Sequence, residues 1–482
     1  MKKLIGILIC CLPFLCFSQQ QTVVSGVIPE LTMVSDHSPR TETGTGALFP
    51  WANRLWIITY VAHLERSGAG TGLYEISVVN GKMELHKRPE SVVGTYANRL
   101  LHGASDQLII GPHIIDVNGN VRTVEGVKKT RLAATLTHLT DPDNKVYFLG
   151  MEGEFLEVNV HTLETKKLFD LMDELNEPKG SKPHFKSGFT RHGRVVVCNN
   201  SYTDKDYDRE WSAGRLAEWD GRTWKVLEEK PFTEVWSAGS FGAPIIATGW
   251  DNASVIMKVF LPKLQKWITY RLPKSSRSFD ETSNTEWLRI REVETERALM
   301  DCHGMFYEIG FHLYGNQLWA IRPVCSHLRV IPDFCSWQGM LVLGGDQASP
   351  LKWNPLDINP LAGQPQAGLW FGKTDDLWSW GKPSGEGGVW NNDAVSANQP
   401  SDPYLMYGFD KKSLHLWHDN SSSVNFTIDA DVVGDGNFHT YRKQTVAPGE
   451  YFHHEFPDGY SARWVRITAD KDCKATAWFV YD

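Results

Sequence analysis

Cysteine is scarce in this chain. Eight are present in 482 residues, and three of them (Cys10, Cys11, Cys16) fall in the N-terminal apolar run. The other five, Cys198, Cys302, Cys325, Cys335 and Cys473, are an odd, scattered set, which excludes a disulfide framework. After the N-terminus no apolar run reaches the length of a membrane span. Basic runs are missing and the net charge is −8, which argues against nucleic acid as a partner. Also missing are a glycine-rich phosphate loop followed by lysine, an HExxH pair and a Ser-His-Asp signature. Acidic residues such as Glu152, Glu154 and Asp251 are scattered, so no carboxylate pair for an ordinary glycosidase stands out. A sugar enzyme built on this chain would have to use histidine.

Aromatic residues, by contrast, are plentiful at 12%, with 19 tryptophans. Flat rings suit the apolar faces of sugars, but they also pack stacked sheets, and most of these rings are expected to be packing. The stretch Arg215–Leu227, RLAEWDGRTWKVL, reads as two strands joined at Asp220-Gly221, a pair suited to a two-residue type I′ turn. Looser copies begin at 73, 114, 155, 256, 306 and 351. With 216 included, the steps are 41, 41, 61, 40, 50 and 45 residues. Several strands per unit at a spacing of roughly 40 to 50 residues is the signature of a β-propeller. The expected fold class is all-β: a seven-bladed propeller over residues 19–398, followed by a small C-terminal all-β domain over 399–482.

Lys2-Lys3, the apolar run to Phe17, and Ser18-Gln19 read as a secretory signal peptide over residues 1–18. The protein is therefore expected to be exported, to the periplasm, cell surface or medium. Cys16 as a lipid-bearing cysteine is the alternative. No membrane span is expected beyond the signal, and the protein is expected to be a monomer. In the tail, short alternating runs are separated by turns such as Gly434-Asp435-Gly436. Trp417 and Trp464 are sugar-facing candidates there; a purely structural tail is the plainer reading.

Histidines mark the candidate chemistry. His37 lies in the polar loop Ser35–Gly46 with Asp36, Arg40 and Glu42, where it is placed for acid–base work with a carboxylate to orient it. His113 and His138 sit at strand ends of successive units and are expected to meet at a central channel. His184 falls about one unit further on. Cys302-His303, Cys325, His327 and Cys335 put three thiols and two imidazoles in 34 residues, a candidate ligand set for a structural zinc. A disulfide or plain burial of these thiols is the alternative reading. Cys198, inside Val195-Val196-Val197-Cys198, reads as a buried small hydrophobe.

The segments SDHSPRTETGTGALFPW (35–51), NRLLHGASDQLIIGPHIID (98–116), THLTDPDNKVYFLGMEG (137–153), HFKSGFTRHGRVVVCNNSY (184–202), GRLAEWDG (214–221) and DFCSWQGMLVLGG (333–345) together resemble the secreted seven-bladed propellers of glycoside hydrolase family 145. The resemblance covers nearly the whole mature chain. It implies an α-L-rhamnosidase that removes terminal L-rhamnose linked α-1,4 to D-glucuronate on arabinogalactan side chains, with no cofactor needed for hydrolysis. It implies His37 as the catalytic histidine, with Arg40 and Glu42 binding substrate. The related ulvan and rhamnosyl-glucuronate lyases imply an alternative. In that reading His113, His138, His184, Tyr202 and Arg215 would form an elimination site at the anterior channel. A non-catalytic carbohydrate-binding propeller is the third reading.

Overall fold

A computed structural model describes residues 42–62, 72–200, 214–240, 242–276, 288–313, 315–327, 329–348 and 367–482. The signal-peptide reading of residues 1–18 lies outside them. The protein is all-β, and its sheets are largely four-stranded and antiparallel. Sheet I holds Glu42–Trp51, Arg54–Ala62, Leu73–Val79 and Lys82–Lys87; sheet II holds Arg99–His102, Gln107–Ile110, His113–Ile115 and Val121–Thr123. Sheet III holds Leu132–Thr137, Lys145–Gly150, Glu154–Asn159 and Thr165–Asp170; sheet IV holds His184–Arg191, Arg194–Asn200, Arg215–Trp219 and Trp224–Glu228. Sheet V comprises Phe232–Trp236, Ile245–Trp250, Val255–Leu261 and Lys266–Leu272, and sheet VI comprises Arg289–Glu294, Arg297–Cys302, Met305–Ile309 and Ile321–Ser326. Sheet VII has three strands among the described residues, Asp333–Trp337, Met340–Ala348 and Gly368–Gly372.

Burial differs sharply between strands. Phe232–Trp236 and Ile245–Trp250 are buried at every position, whereas Lys82–Lys87 is almost wholly exposed. Strands covered on both faces read as continuous apolar runs and lose the period of two. Apolar clusters fill the spaces between successive sheets: I to III, III to IV, IV to V, V to VI, VI to VII, and VII back to I. First strands also touch in succession, each with the next and the seventh with the first. Between sheets VII and I the closure is by hydrogen bonds, with Glu42, Thr43 and Gly44 paired to Ala348, Gln347 and Asp346.

The repeated hairpin is the outer half of sheets I to VI. Copies beginning at 73, 114, 155, 216, 256 and 306 fall on the third strands of sheets I to VI. The copy at 351 lies outside the described residues. Its template turn differs from expectation. Trp219 pairs with Trp224, leaving a four-residue loop in which the Asp220 carboxylate accepts from the Arg222 and Thr223 amides at 2.8 and 2.9 Å. Those side-chain bonds favour the longer loop, in which Gly221 has positive φ and Asp220 does not. The expected turn occurs instead at Asn80-Gly81, with φ of 51° and 76° between Val79 and its partner Lys82.

The tail begins earlier than residue 399. Gly385–Val395 pairs with Cys473–Tyr481, so it belongs to the tail and not to the repeats. One tail sheet orders Gly385–Val395, Cys473–Tyr481, Lys412–His418 and Phe452–Glu455. The other, Tyr404–Leu405, Trp464–Ala469, Val424–Asp431 and His439–Val446, continues sheet V through a parallel bridge from Arg271 to Tyr404. This covers what would otherwise be a bare sheet edge. Trp464 packs on Tyr270 with ring centroids 4.4 Å apart and donates its indole N–H to the Leu318 carbonyl at 2.9 Å.

Candidate functional site

The first strands run the same way around the ring. Tyr96, just before the first strand of sheet II, forms a parallel bridge with Leu132, the opening residue of the first strand of sheet III. Arg131, preceding the first strand of sheet III, reaches His184, the first residue of sheet IV. The sheets therefore share a start rim and a finish rim, separated by the strand length. For the six residues Leu132–Thr137 that is ~20 Å.

On the start rim, Arg131 Nη2 donates to His184 Nε2 at 3.0 Å, so that nitrogen carries a lone pair and the imidazole is neutral. Arg131 Nε also donates to the Glu152 carboxylate at 2.7 Å. Its side chain is 36% exposed and that of Glu152 44%, so the group is open to solvent. Beneath it lies a buried polar layer. Asn199 Nδ2 donates to Glu177 Oε1 at 2.7 Å, and Asn199 Oδ1 accepts the Arg215 amide at 2.8 Å. Asn200, paired with His184 across the sheet, is 1% exposed, and its side-chain amide has no hydrogen-bond partner among the described residues. Arg215 is buried and donates from Nη1 to the Gly214 carbonyl at 2.7 Å.

His113 also belongs to the start rim, since Ile110 pairs with both His113 and Arg99, the opening residue of sheet II. It is fully buried; Nδ1 is 3.0 Å from Thr123 Oγ1, and Nε2 has no hydrogen-bond partner among the described residues. Burial pushes its pKa down to about 4. His138 follows the end of a first strand, on the finish rim. Its Nδ1 accepts the Thr140 and Asp141 amides at 3.3 and 2.9 Å, which leaves the proton on Nε2, donated to Glu157 Oε2 at 2.9 Å. The expected meeting of His113 and His138 does not occur. One starts a third strand and the other follows the end of a first strand; the two strands run in parallel, so the histidines lie at opposite rims. His37, Arg40 and Tyr202 lie outside the described residues. Glu42 is described only as the first residue of its strand.

Sequence reading missed a buried charge cluster. A cavity of about 420 Å³ is lined by first-strand residues, among them Asn98, Arg99, Lys186, Glu234, Arg289 and Arg291. Asp333 Oδ2 is 2.9 Å from Arg99 Nε and accepts the Leu48 amide at 2.7 Å, while Oδ1 accepts from Arg291 Nε at 2.8 Å. Arg291 also donates to Glu234 Oε1 at 2.6 Å, and the Ile290 amide donates to the same carboxylate at 3.1 Å. The available signal was charge placed inside short apolar strands, as in FTEVW and RIREVE.

The proposed zinc ligands do not fit one ion. Cys302, Cys325 and Cys335 lie in three different apolar clusters. His303 (φ 46°) and Gly304 (φ 76°) form a hairpin turn, with the His303 ring edge-on to Trp250 at 5.2 Å. His327 Nε2 contacts Asp301 Oδ1 at 2.9 Å. Among the described residues no three metal-ligating side chains come together. Burial pushes the Cys325 and Cys335 thiols up to about 12, and Cys198 is buried as expected. Of the five cysteines, only Cys473 is partly exposed. A Cys473→Ser variant is therefore expected to leave Cys198, Cys302, Cys325 and Cys335 inert to a thiol reagent until the protein is unfolded. Fast native labelling of any of the four would contradict this.

Trp464 is 2% exposed and is a core residue, not a sugar platform. No helix among the described residues is long and apolar enough to cross a membrane.

No family model and no curated protein matches the chain. Among solved structures it is similar to PorZ, a bacterial surface component of the type-IX secretion system of Porphyromonas gingivalis. The identity is 11% over 90% of this chain and 48% of that one, with a TM-score of 0.37. It is similar also to U3-55K, at 10% identity over 64% of this chain and 92% of that one, with a TM-score of 0.38. The chain spans about half the length of PorZ. At such TM-scores the likeness defines neither fold nor activity.

Proposed function

We propose that the chain is an exported seven-bladed β-propeller that hydrolyses terminal L-rhamnose from α-1,4-linked D-glucuronate on arabinogalactan-type side chains. The propeller reading is supported by seven successive antiparallel units, by first strands that touch in a closed cycle, and by apolar clusters that return from sheet VII to sheet I. One observation favours hydrolysis over elimination. An anterior lyase would draw on His113 and His138, yet these lie at opposite rims. His113 is sealed in the core, and both His138 nitrogens are already bonded. Hydrolysis through His37 needs neither. An imidazole with a pKa near 6.5 can deliver a proton to the leaving glycosidic oxygen. Arg40 would hold the glucuronate carboxylate and Glu42 a sugar hydroxyl.

A second reading keeps one support. His184 and Arg131 place an imidazole beside a guanidinium on an open rim; a uronate carboxylate that drew Arg131 away would free the Nε2 lone pair to take the C5 proton. The products decide between them. Digestion of a rhamnose-capped arabinogalactan is expected to release free rhamnose with no new ultraviolet absorbance. His37→Gln should lower the rate at least about 100-fold, the scale of a lost general acid, and His184→Gln should leave it within a few-fold of wild type. Absorbance from a 4,5-unsaturated uronate, lost in His184→Gln, would replace hydrolysis with elimination.

A further inference from the structure

The tail carries a ring-covered face that the catalytic reading does not use. In Lys412–His418 the odd positions turn outward: Ser413, His415 and Trp417 are partly or fully exposed, while Leu414 and Leu416 are buried in the core. Neighbouring strands bring more rings to the same face. His415 pairs with His453 on one side and Trp478 on the other. Tyr451, one residue before Phe452–Glu455, lies beside Trp417, with ring centroids 6.4 Å apart. His415 and His453 are 4.9 Å apart, and His415 and Tyr451 stack at 5.9 Å with an interplanar angle of 25°.

Two features separate this face from ordinary surface. Trp417 is 42% exposed and Tyr451 60%, so their ring faces are open. Yet Tyr451 is held in place, because its hydroxyl bonds His415 Nδ1 at 2.5 Å. Burial, and then the neighbouring His453, lower the pKa of His415, and its Nδ1 is placed to accept a hydrogen bond from the phenol. Exposed rings fixed in orientation lose little entropy when a flat ligand lands on them. The chemistry of the face is mixed: ring planes for C–H faces, and imidazole, phenol and serine groups for hydroxyls, with Glu455 at the edge.

Size narrows the occupant. Three strands spaced ~4.8 Å apart and rows from 413 to 417 at ~3.4 Å per residue give, with side-chain width, about 200 Å². A stable protein interface needs about 800 Å² per partner, whereas 200 Å² matches two or three sugar rings.

We propose that this face is a polysaccharide-binding platform for a stretch of neutral pyranoses, separate from any catalytic site, with Trp417 and Tyr451 as the stacking rings. The proposal does not depend on the reaction assigned above. Its test is affinity electrophoresis of the full chain in gels containing soluble galactan, arabinogalactan or mixed-linkage glucan, followed by calorimetry on the polysaccharide that retards it most. Wild type is expected to be retarded by at least one of them. Trp417→Ala and Tyr451→Ala should each weaken binding by about tenfold or more, as truncated aromatic anchors do, with thermal unfolding unchanged because both rings are exposed. His415→Ala should weaken it less, by freeing Tyr451. Trp267→Ala, which removes a half-buried ring on sheet V, serves as a remote comparison and should bind as wild type. Failure of wild type to be retarded by any of the three polysaccharides would overturn the proposal. So would undiminished binding in the Trp417 and Tyr451 variants, or self-association that these variants abolish.

Discussion

Replacing Asp333 by alanine is expected to lower the free energy of unfolding by about 3–5 kcal/mol, the cost of breaking a buried ion pair from one side. The carboxylate is 1% exposed and holds three partners from three sheets: the Leu48 amide of sheet I, Arg99 of sheet II and Arg291 of sheet VI. Arg291 passes the connection on to Glu234 of sheet V. Burial by itself would push the Asp333 carboxyl up, but Arg99 and Arg291 together outweigh it and hold the pKa below the usual value. The carboxylate is thus charged at neutral pH, and its removal takes the ion-pair partner from Arg99 and leaves Arg291 with Glu234 alone. Asp333→Asn keeps the volume and so separates the loss of charge from the loss of packing; it should recover only part of the stability. Urea unfolding followed by tryptophan fluorescence measures both. An alanine variant with an unchanged midpoint would show that the sheets close without this cluster.

The same cluster explains what could be read in the sequence and what could not. Third strands were legible where they lead by a short turn into a polar outer strand, as Leu73–Val79 leads into the exposed Lys82–Lys87. First strands were not. Phe232–Trp236 is buried on both faces, so it has no alternation, and its Glu234 looks like any surface carboxylate until the ring closes around it. The rim of each histidine was missed for a different reason. Sequence marks strand ends well, but rim assignment needs the count of strands within each sheet. First and third strands run in parallel, so the start of one and the end of the other cannot meet, and His113 and His138 part on that ground. The tail boundary slipped because the stretch 381–388, rich in glycine and with a proline, carries no strand pattern of its own, and Gly385–Val395 begins inside it. Gly385–Val395 becomes a strand through pairing with Cys473–Tyr481, a partner some 80 residues away. Trp417 and Trp464 were equal candidates in sequence. Only packing tells them apart: one is exposed, and the other is locked to Leu318 and Tyr270.

Arg271→Ala should cost about 3 kcal/mol at pH 7, and the cost should shrink as the solution is acidified. Arg271 joins sheet V to the tail. Its side chain donates to Asp251 Oδ1 at 3.0 Å, Ser254 Oγ at 2.9 Å and Asp402 Oδ2 at 3.1 Å, while its amide donates to the Pro403 carbonyl at 2.8 Å. Lys230 holds the other Asp251 oxygen at 2.9 Å. Burial would raise the Asp251 pKa, but Arg271 and Lys230 with their hydrogen bonds more than offset it and leave the group well below the usual carboxylate range. The sign then follows from linkage. A carboxyl whose folded pKa lies below its unfolded value of about 3.9 contributes its full stability above that value and loses it as pH falls toward the folded pKa. Wild type is therefore expected to lose stability steadily below about pH 4 through Asp251, with Asp333 acting in the same direction. In Arg271→Ala the main attraction is gone, Asp251 protonates more readily, and the part of the acid dependence that comes from this pair disappears. Unfolding free energies for the two proteins should accordingly stay a constant distance apart above about pH 4 and draw closer as pH falls below it, toward the folded pKa of Asp251. Arg271→Lys tests the geometry, since a lysine keeps the charge but cannot bond Asp251, Ser254 and Asp402 together. Curves that stay parallel across the range would mean that Arg271 acts through packing alone.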